Sequence, residues 1–260
     1  MTATVERGSA PAPVNPPAGT GKNGKKSAKP ARPGRKGGFL ASSNGRKVVM
    51  AVTGAVMVLF LIGHMAGNLK SFLGAGSFND YAAFLRTMGE PLLPHRVLLT
   101  VVEAGLVAAV ALHMWAAVSL ARRARKARPV RYAVRRKSRS GGYAVHTMRY
   151  GGVVIVLFVI YHLLDLTFGT ANPAGPASTP YERLVEGFAP SRWWVTLFYV
   201  LAVVMVGLHL RHGLWSAFQT LGLASRRSYR ALRASATGLS LLLVVGFLAV
   251  PAAVVIGVIK

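Results

Sequence analysis

Five apolar runs, each close to the roughly 20 residues needed to cross a hydrocarbon core, constrain this chain more than any other feature. They lie at about Val48–Leu69, Val97–Leu120, Gly151–Phe168 (with a start one turn earlier), Trp193–Trp215 and Gly238–Ile259. In hydrocarbon every backbone N–H and C=O must be satisfied within the protein, which leaves helices and closed barrels. Ala, Leu and Gly recur in all five runs and no strand-like alternation is present, so helices are expected. Pro251 sits inside the last run and should kink or locally break it. The fold expected is an all-α, integral membrane bundle of five transmembrane helices.

Although 52% of the residues are hydrophobic, the formal net charge is +25. The two coexist because charge and apolar surface are segregated along the chain. Residues 1–38 hold Pro, Gly, Ala, Ser and basic residues without an apolar run, and cannot bury enough surface to offset their ordering entropy. This reading divides the chain into a disordered basic tail, 1–45, and a helical membrane domain, 46–260. No apolar segment follows the early charges, so the tail is not a signal peptide. Ten Lys/Arg lie in 1–47, eleven in 122–149 and five in 211–233, whereas Asp80, Glu90, Glu182 and Glu186 fall in the two poorly basic loops. The positive-inside rule then puts the N-terminus in the cytoplasm and the C-terminus outside. Nucleic-acid binding is not expected, because Arg122–Arg149 interleaves only Tyr132 and Tyr143 as stacking groups. Anionic lipid headgroups, or the acidic surface of a peripheral partner, suit the basic loops better.

The chain has no Cys, which excludes disulfides, iron–sulfur ligation, zinc–thiolate sites and covalent haem attachment. It does have seven His, and four stand one per span in the first four runs: His64, His113, His162 and His209, spaced 49, 49 and 47 apart. Ionisable residues in spans are expensive and mark function. With the helices alternating in direction, a rise of about 1.5 Å per residue puts His64 and His162 in the outer half and His113 and His209 in the inner half. Two imidazoles facing each other inside a bundle form the axial pair of a non-covalent b-type haem. The two layers would be about 12–16 Å apart, and Gly54 and Gly152, each ten residues before an outer His, fall at the inner level. Two other readings compete: a haem-free anchor with packing histidines, and a transporter. The second is disfavoured because no inverted repeat with broken helices is present.

The strings LIGHMAGNL around His64, ALHMWAAVSL around His113, VIYHLLDLT around His162 and GLHLRHGLWSAFQTLGL from Gly207 resemble the cytochrome b subunit of succinate dehydrogenases and fumarate reductases. The type resembled is the single-chain, five-helix, two-haem one, over about residues 46–260, with a Thr-Gly pair (Thr53, Gly54) ahead of the first His. The resemblance implies a bacterial cytoplasmic membrane, two haem b, His64 and His162 on the outer haem iron, and His113 and His209 on the inner. It also implies partners, a flavoprotein subunit and an iron–sulfur subunit on the cytoplasmic face, with a membrane quinone accepting electrons. Some fumarate-reducing members carry an acid two residues before the last ligand; here that position is Gly207, so their proton path is not expected.

Among the remaining polar residues, Glu103 and Asp165 lie in the outer half and are candidates for quinone proton exchange. Arg86, Arg96 and Arg192 flank the same layer. A second haem layer is useful if electrons must reach the outer half, which favours a low-potential quinone such as menaquinone there. An inner-face quinone site near Ser42, Ser43 and Arg46 is the alternative. Trp193, Trp194 and Tyr199 read as an interfacial aromatic belt. His95, His146 and His212 read as loop or interfacial residues, His212 being near enough to His209 to hold a haem propionate.

Overall fold

The computed structural model describes residues 38–127 and 142–260. The tail reading over 1–37, and most of the basic connection between the second and third spans, lie outside them. Seven helices follow: α1 (Ser43–Leu69), α2 (Gly74–Thr87), α3 (Val97–Lys126), α4 (Gly142–His162), α5 (Pro180–Gly187), α6 (Trp193–Thr220) and α7 (Tyr229–Val255). No strand occurs among the described residues. Helices α1, α3, α4, α6 and α7 are long and apolar enough to cross a bilayer. The chain is thus an all-α, multi-pass membrane protein.

Several helices overrun their apolar runs, and at the ends where basic residues gather. Helix α1 begins at Ser43 because Ser42 caps it, its Oγ accepting from the Gly45 N–H at 2.8 Å. Helix α3 continues through Arg122–Lys126, since Arg and Lys are good helix formers and cations are favourable at a C-terminus. Helix α7 starts at Tyr229, nine residues before Gly238, and passes through Pro251 to Val255 without ending there. At the far end of α4 the helix widens into a π turn, Leu163–Thr167, directly after His162. The two short helices lie in the connections. A capping box opens α5: the Thr179 N–H donates to Glu182 at 2.8 Å and the Glu182 N–H to Thr179 Oγ1 at 3.2 Å.

Helix α1 packs on α3, α6 and α7, and α6 also packs on α4 and α7. Small residues set these approaches, as is usual where lipid gives no hydrophobic drive between helices. A Cβ on Gly207 would run into Val244 of α7, one on Gly246 into Met65 of α1, and one on Gly151 would come within 2.9 Å of Met205. The most buried apolar cluster sits at one end, where Tyr181, Leu184, Phe188, Val195, Tyr199 and Val250 meet. The Tyr181 hydroxyl donates to the Lys260 carbonyl there, at 3.1 Å. At the other end, called the basic end below, Arg123 donates to Ala41 O at 2.7 Å and joins the start of α1 to the finish of α3.

Candidate functional site

The four intramembrane histidines meet in two pairs. The rings of His64 and His162 have centroids 5.8 Å apart, and those of His113 and His209 are 6.3 Å apart. Neither α1 with α4 nor α3 with α6 is among the closely packed helix pairs of the described residues, so each pair of rings reaches across a gap. With metal–nitrogen bonds of about 2 Å and ring nitrogens about 1 Å from their centroids, two imidazoles trans on one metal stand about 6 Å apart. Both pairs have that spacing. The levels follow from α1 itself: His113 lies against Met50, Thr53 and Gly54, and His64 is ten residues beyond Gly54, about 15 Å along the axis. A Cβ on Gly54 would come within 3.5 Å of His113 Cε1, whereas one on Gly152 would meet nothing within 4 Å.

Hydrogen bonding decides which nitrogen of His113 is free. Thr53 Oγ1 spends its proton on the Val49 carbonyl at 2.8 Å, so toward His113 it is an acceptor. The Met50 carbonyl is an acceptor too. His113 Nδ1 lies 3.1 Å from Met50 O and 3.2 Å from Thr53 Oγ1, so Nδ1 carries the proton and Nε2 presents its lone pair. An imidazole oriented in this way, its other nitrogen donating to a carbonyl, is the usual arrangement of a metal-ligating histidine. Among the described residues, His64, His162 and His209 make no hydrogen bond, and the Nδ1 atoms of His162 and His209 are buried without a partner. Buried polar atoms of that kind are costly, and in neither ring does a hydrogen bond fix which nitrogen carries the proton. No group of three or more metal-binding side chains gathers among the described residues. A haem needs only two, because the porphyrin supplies the other four nitrogens.

The surroundings of the pairs differ. Phe60 stacks on His64 at 5.2 Å and Phe247 lies at 5.8 Å, while Phe158 and Tyr199 stand 5.7 and 6.0 Å from His162. The His64–His162 pair therefore sits in an aromatic box, and the His113–His209 pair beside a hydroxyl, a carbonyl and a glycine.

The other candidates do not converge on one place. Asp165, in the π turn, is fully buried, and both oxygens are engaged: Oδ1 accepts from Asn172 at 3.1 Å and Arg192 at 3.3 Å, and Oδ2 from Tyr199 at 3.1 Å. Tyr199 is thus no belt residue; a buried carboxylate needs donors, and this hydroxyl is one of them. Trp193 and Trp194 are exposed, as a belt requires. Glu103 has 52% of its side chain exposed and stands 3.9 Å from Arg96. Ser43 and Arg46 lie together at the basic end: Arg123 donates to Ser43 Oγ at 3.4 Å, and the Arg46 guanidinium stacks over Trp115 at 5.2 Å. An open groove of about 780 Å³ lies beside them, lined by Met114, Trp115, Val118 and Ser119 and by five basic side chains, Arg46, Arg122, Arg123, Arg125 and Lys126. His95 pairs with Glu90 at 3.1 Å in an exposed loop. No family model, curated protein or solved structure matches the chain.

Proposed function

We propose that this chain is the membrane anchor and electron conduit of a succinate:quinone oxidoreductase, binding two haem b groups between paired histidines. The observation that carries the reading is the meeting of four histidines, one per helix, as two pairs at ligand spacing about 15 Å apart along α1. His64 and His162 would hold the outer haem and His113 and His209 the inner one, in a bacterial cytoplasmic membrane with the N-terminus inside. When bound, the haems supply one-electron transfer along the membrane normal. The chain's part is to fix the ligands: Thr53 and Met50 hold His113 with its Nε2 lone pair free, and the aromatic box keeps water from the outer pair. The basic end would dock an iron–sulfur subunit, itself joined to a flavoprotein subunit, and a quinone, menaquinone by the argument from two layers, would accept the electrons.

A second position for the quinone is favoured by the groove at the basic end. It sets the short apolar strip Met114, Trp115 and Val118, with Ser119, beside five basic side chains, Arg46, Arg122, Arg123, Arg125 and Lys126, which could hold a quinone oxygen. Neither carboxylate named for the outer half has comparable surroundings, since Asp165 is spent on three donors and Glu103 faces Arg96.

A reduced-minus-oxidised spectrum of the purified chain tests the central reading. A low-spin b-type α-band equivalent to two haems is expected, halved by His113→Ala or His64→Ala. Full haem content after either change, or no α-band in the unaltered protein, overturns it. Turnover of Glu103→Gln and Asp165→Asn against Ser43→Ala and Arg46→Gln, with haem content measured alongside, separates the two quinone positions.

A further inference from the structure

Away from the histidines, Arg183 is the buried cation among the described residues, and it stands in no ion pair. Arg183, on α5, is only 7% exposed, and its Nε is buried without a hydrogen-bond partner. Its stem is pinned, because a Cβ on Gly169 would sit 3.0 Å from Arg183 Cδ, and its carbonyl accepts from Asn172 at 2.9 Å. Helix α5 packs on α2, tied to it by the Tyr181 N–H donating to Asn79 Oδ1 at 3.1 Å. The half-buried Arg86 stands on α2, where Nη1 reaches only its own helix, at Ala82 O, 3.3 Å. Burial first, and the positive charge of Arg86 second, pull the Arg183 pKa below the usual guanidinium range. The carboxylates on these two helices are Asp80, Glu182 and Glu186. None forms an ion pair with either arginine; the three ion pairs among the described residues are His95–Glu90, Arg96–Glu103 and Arg192–Asp165.

A guanidinium with its Nε taken out of water beside a second cation, and with no ion-paired carboxylate, is stabilised when an anion from outside the chain meets its open Nη atoms. The planar fork of arginine matches the two oxygens of a carboxylate or phosphate. Leu73, just before α2, and Phe84 on it are exposed apolar side chains in the same connection. We propose that Arg183 and Arg86 form a binding site for the oxyanion of a membrane-embedded amphiphile. Two sources share that chemistry: the phosphate of an anionic phospholipid, and a propionate of the outer haem. The second source rests on the function proposed above; the first does not.

The test uses the full chain, purified with whatever cofactor it retains, in bilayer discs of phosphatidylcholine with and without phosphatidylglycerol. Unaltered protein, Arg183→Gln, Arg86→Gln and Arg183→Lys are compared by thermal unfolding and by redox titration of any haem. If the phosphate is the ligand, phosphatidylglycerol raises the unfolding temperature of the unaltered protein, and both Gln variants lose that rise while Arg183→Lys keeps part of it. If a propionate is the ligand, the rise is absent, and both Gln variants lower the midpoint potential of one haem, because a removed cation favours the oxidised, more positive state. Gln variants that respond to lipid as the unaltered protein does, with unshifted potentials, overturn the proposal. Should Arg183→Gln fail to fold, Arg86→Gln gives the same readings from the partly exposed member. A chain without haem would sink the proposed function and leave the phospholipid arm intact.

Discussion

At the scale of single residues, an acid inside an apolar helix is the sharpest demand the chain makes. Asp165 meets it with Arg192, Asn172 and Tyr199. Replacing Asp165 by Asn would take the carboxylate from the Arg192 guanidinium, which keeps Gly187 O, Ala171 O and the Tyr161 hydroxyl, at a cost of about 1–3 kcal/mol. The double variant Asp165→Asn/Arg192→Gln should recover part of that loss, measured by reversible unfolding in mixed micelles. Thr53→Val removes one of two acceptors from His113 Nδ1 and leaves the Met50 carbonyl. Under the proposed function it should weaken haem retention at that pair on the order of 10-fold, read by haem transfer to apomyoglobin. The histidine pairing was legible because one His per helix at near-constant spacing fixes depth by arithmetic. The partners of Asp165 were not, since they come from a loop and from the next span, 7 to 34 residues away. A usable signal existed: a carboxylate at the end of one span, with Arg192 and Tyr199 at the start of the next at similar depth.

Among elements, the packing of α6 on α7 depends on Gly207, beside which Val244 leaves no room for a Cβ. Gly207→Ala should destabilise the chain by about 1–3 kcal/mol through overpacking. Val244→Ala in the same chain should restore most of it, checked by unfolding of the single and double variants. The spans themselves could be read from apolar length, and their starts at Val97 and Trp193 agree with α3 and α6. The basic ends ran longer than read, because hydropathy falls at an arginine while helical backbone does not. Helices α2 and α5 escaped notice since each is short and lies in a connection, where neither length nor hydropathy marks a span. The π turn after His162 has no sequence signature; it holds Asp165 where Arg192 and Tyr199 reach it.

For the whole molecule, segregation of charge is the feature that sets direction in the membrane. Because the chain has no cysteine, single cysteines can report it. Ser178→Cys should react with a membrane-impermeant maleimide in intact cells, and Ser225→Cys only after lysis. The reverse pattern would invert both the topology and the order of the two histidine pairs. Helix α1, first of the spans, is also the one packed against α3, α6 and α7, and its His64 meets a residue 98 positions later. At synthesis rates of about 5–20 residues per second, His162 follows His64 after about 5–20 s. Met65 waits longer still, for Gly246 of the last helix. During that interval the earliest helix holds an unmatched imidazole among lipids and insertion factors. Biogenesis thus has a built-in delay, in which a chaperone can reach His64 before its own protein does.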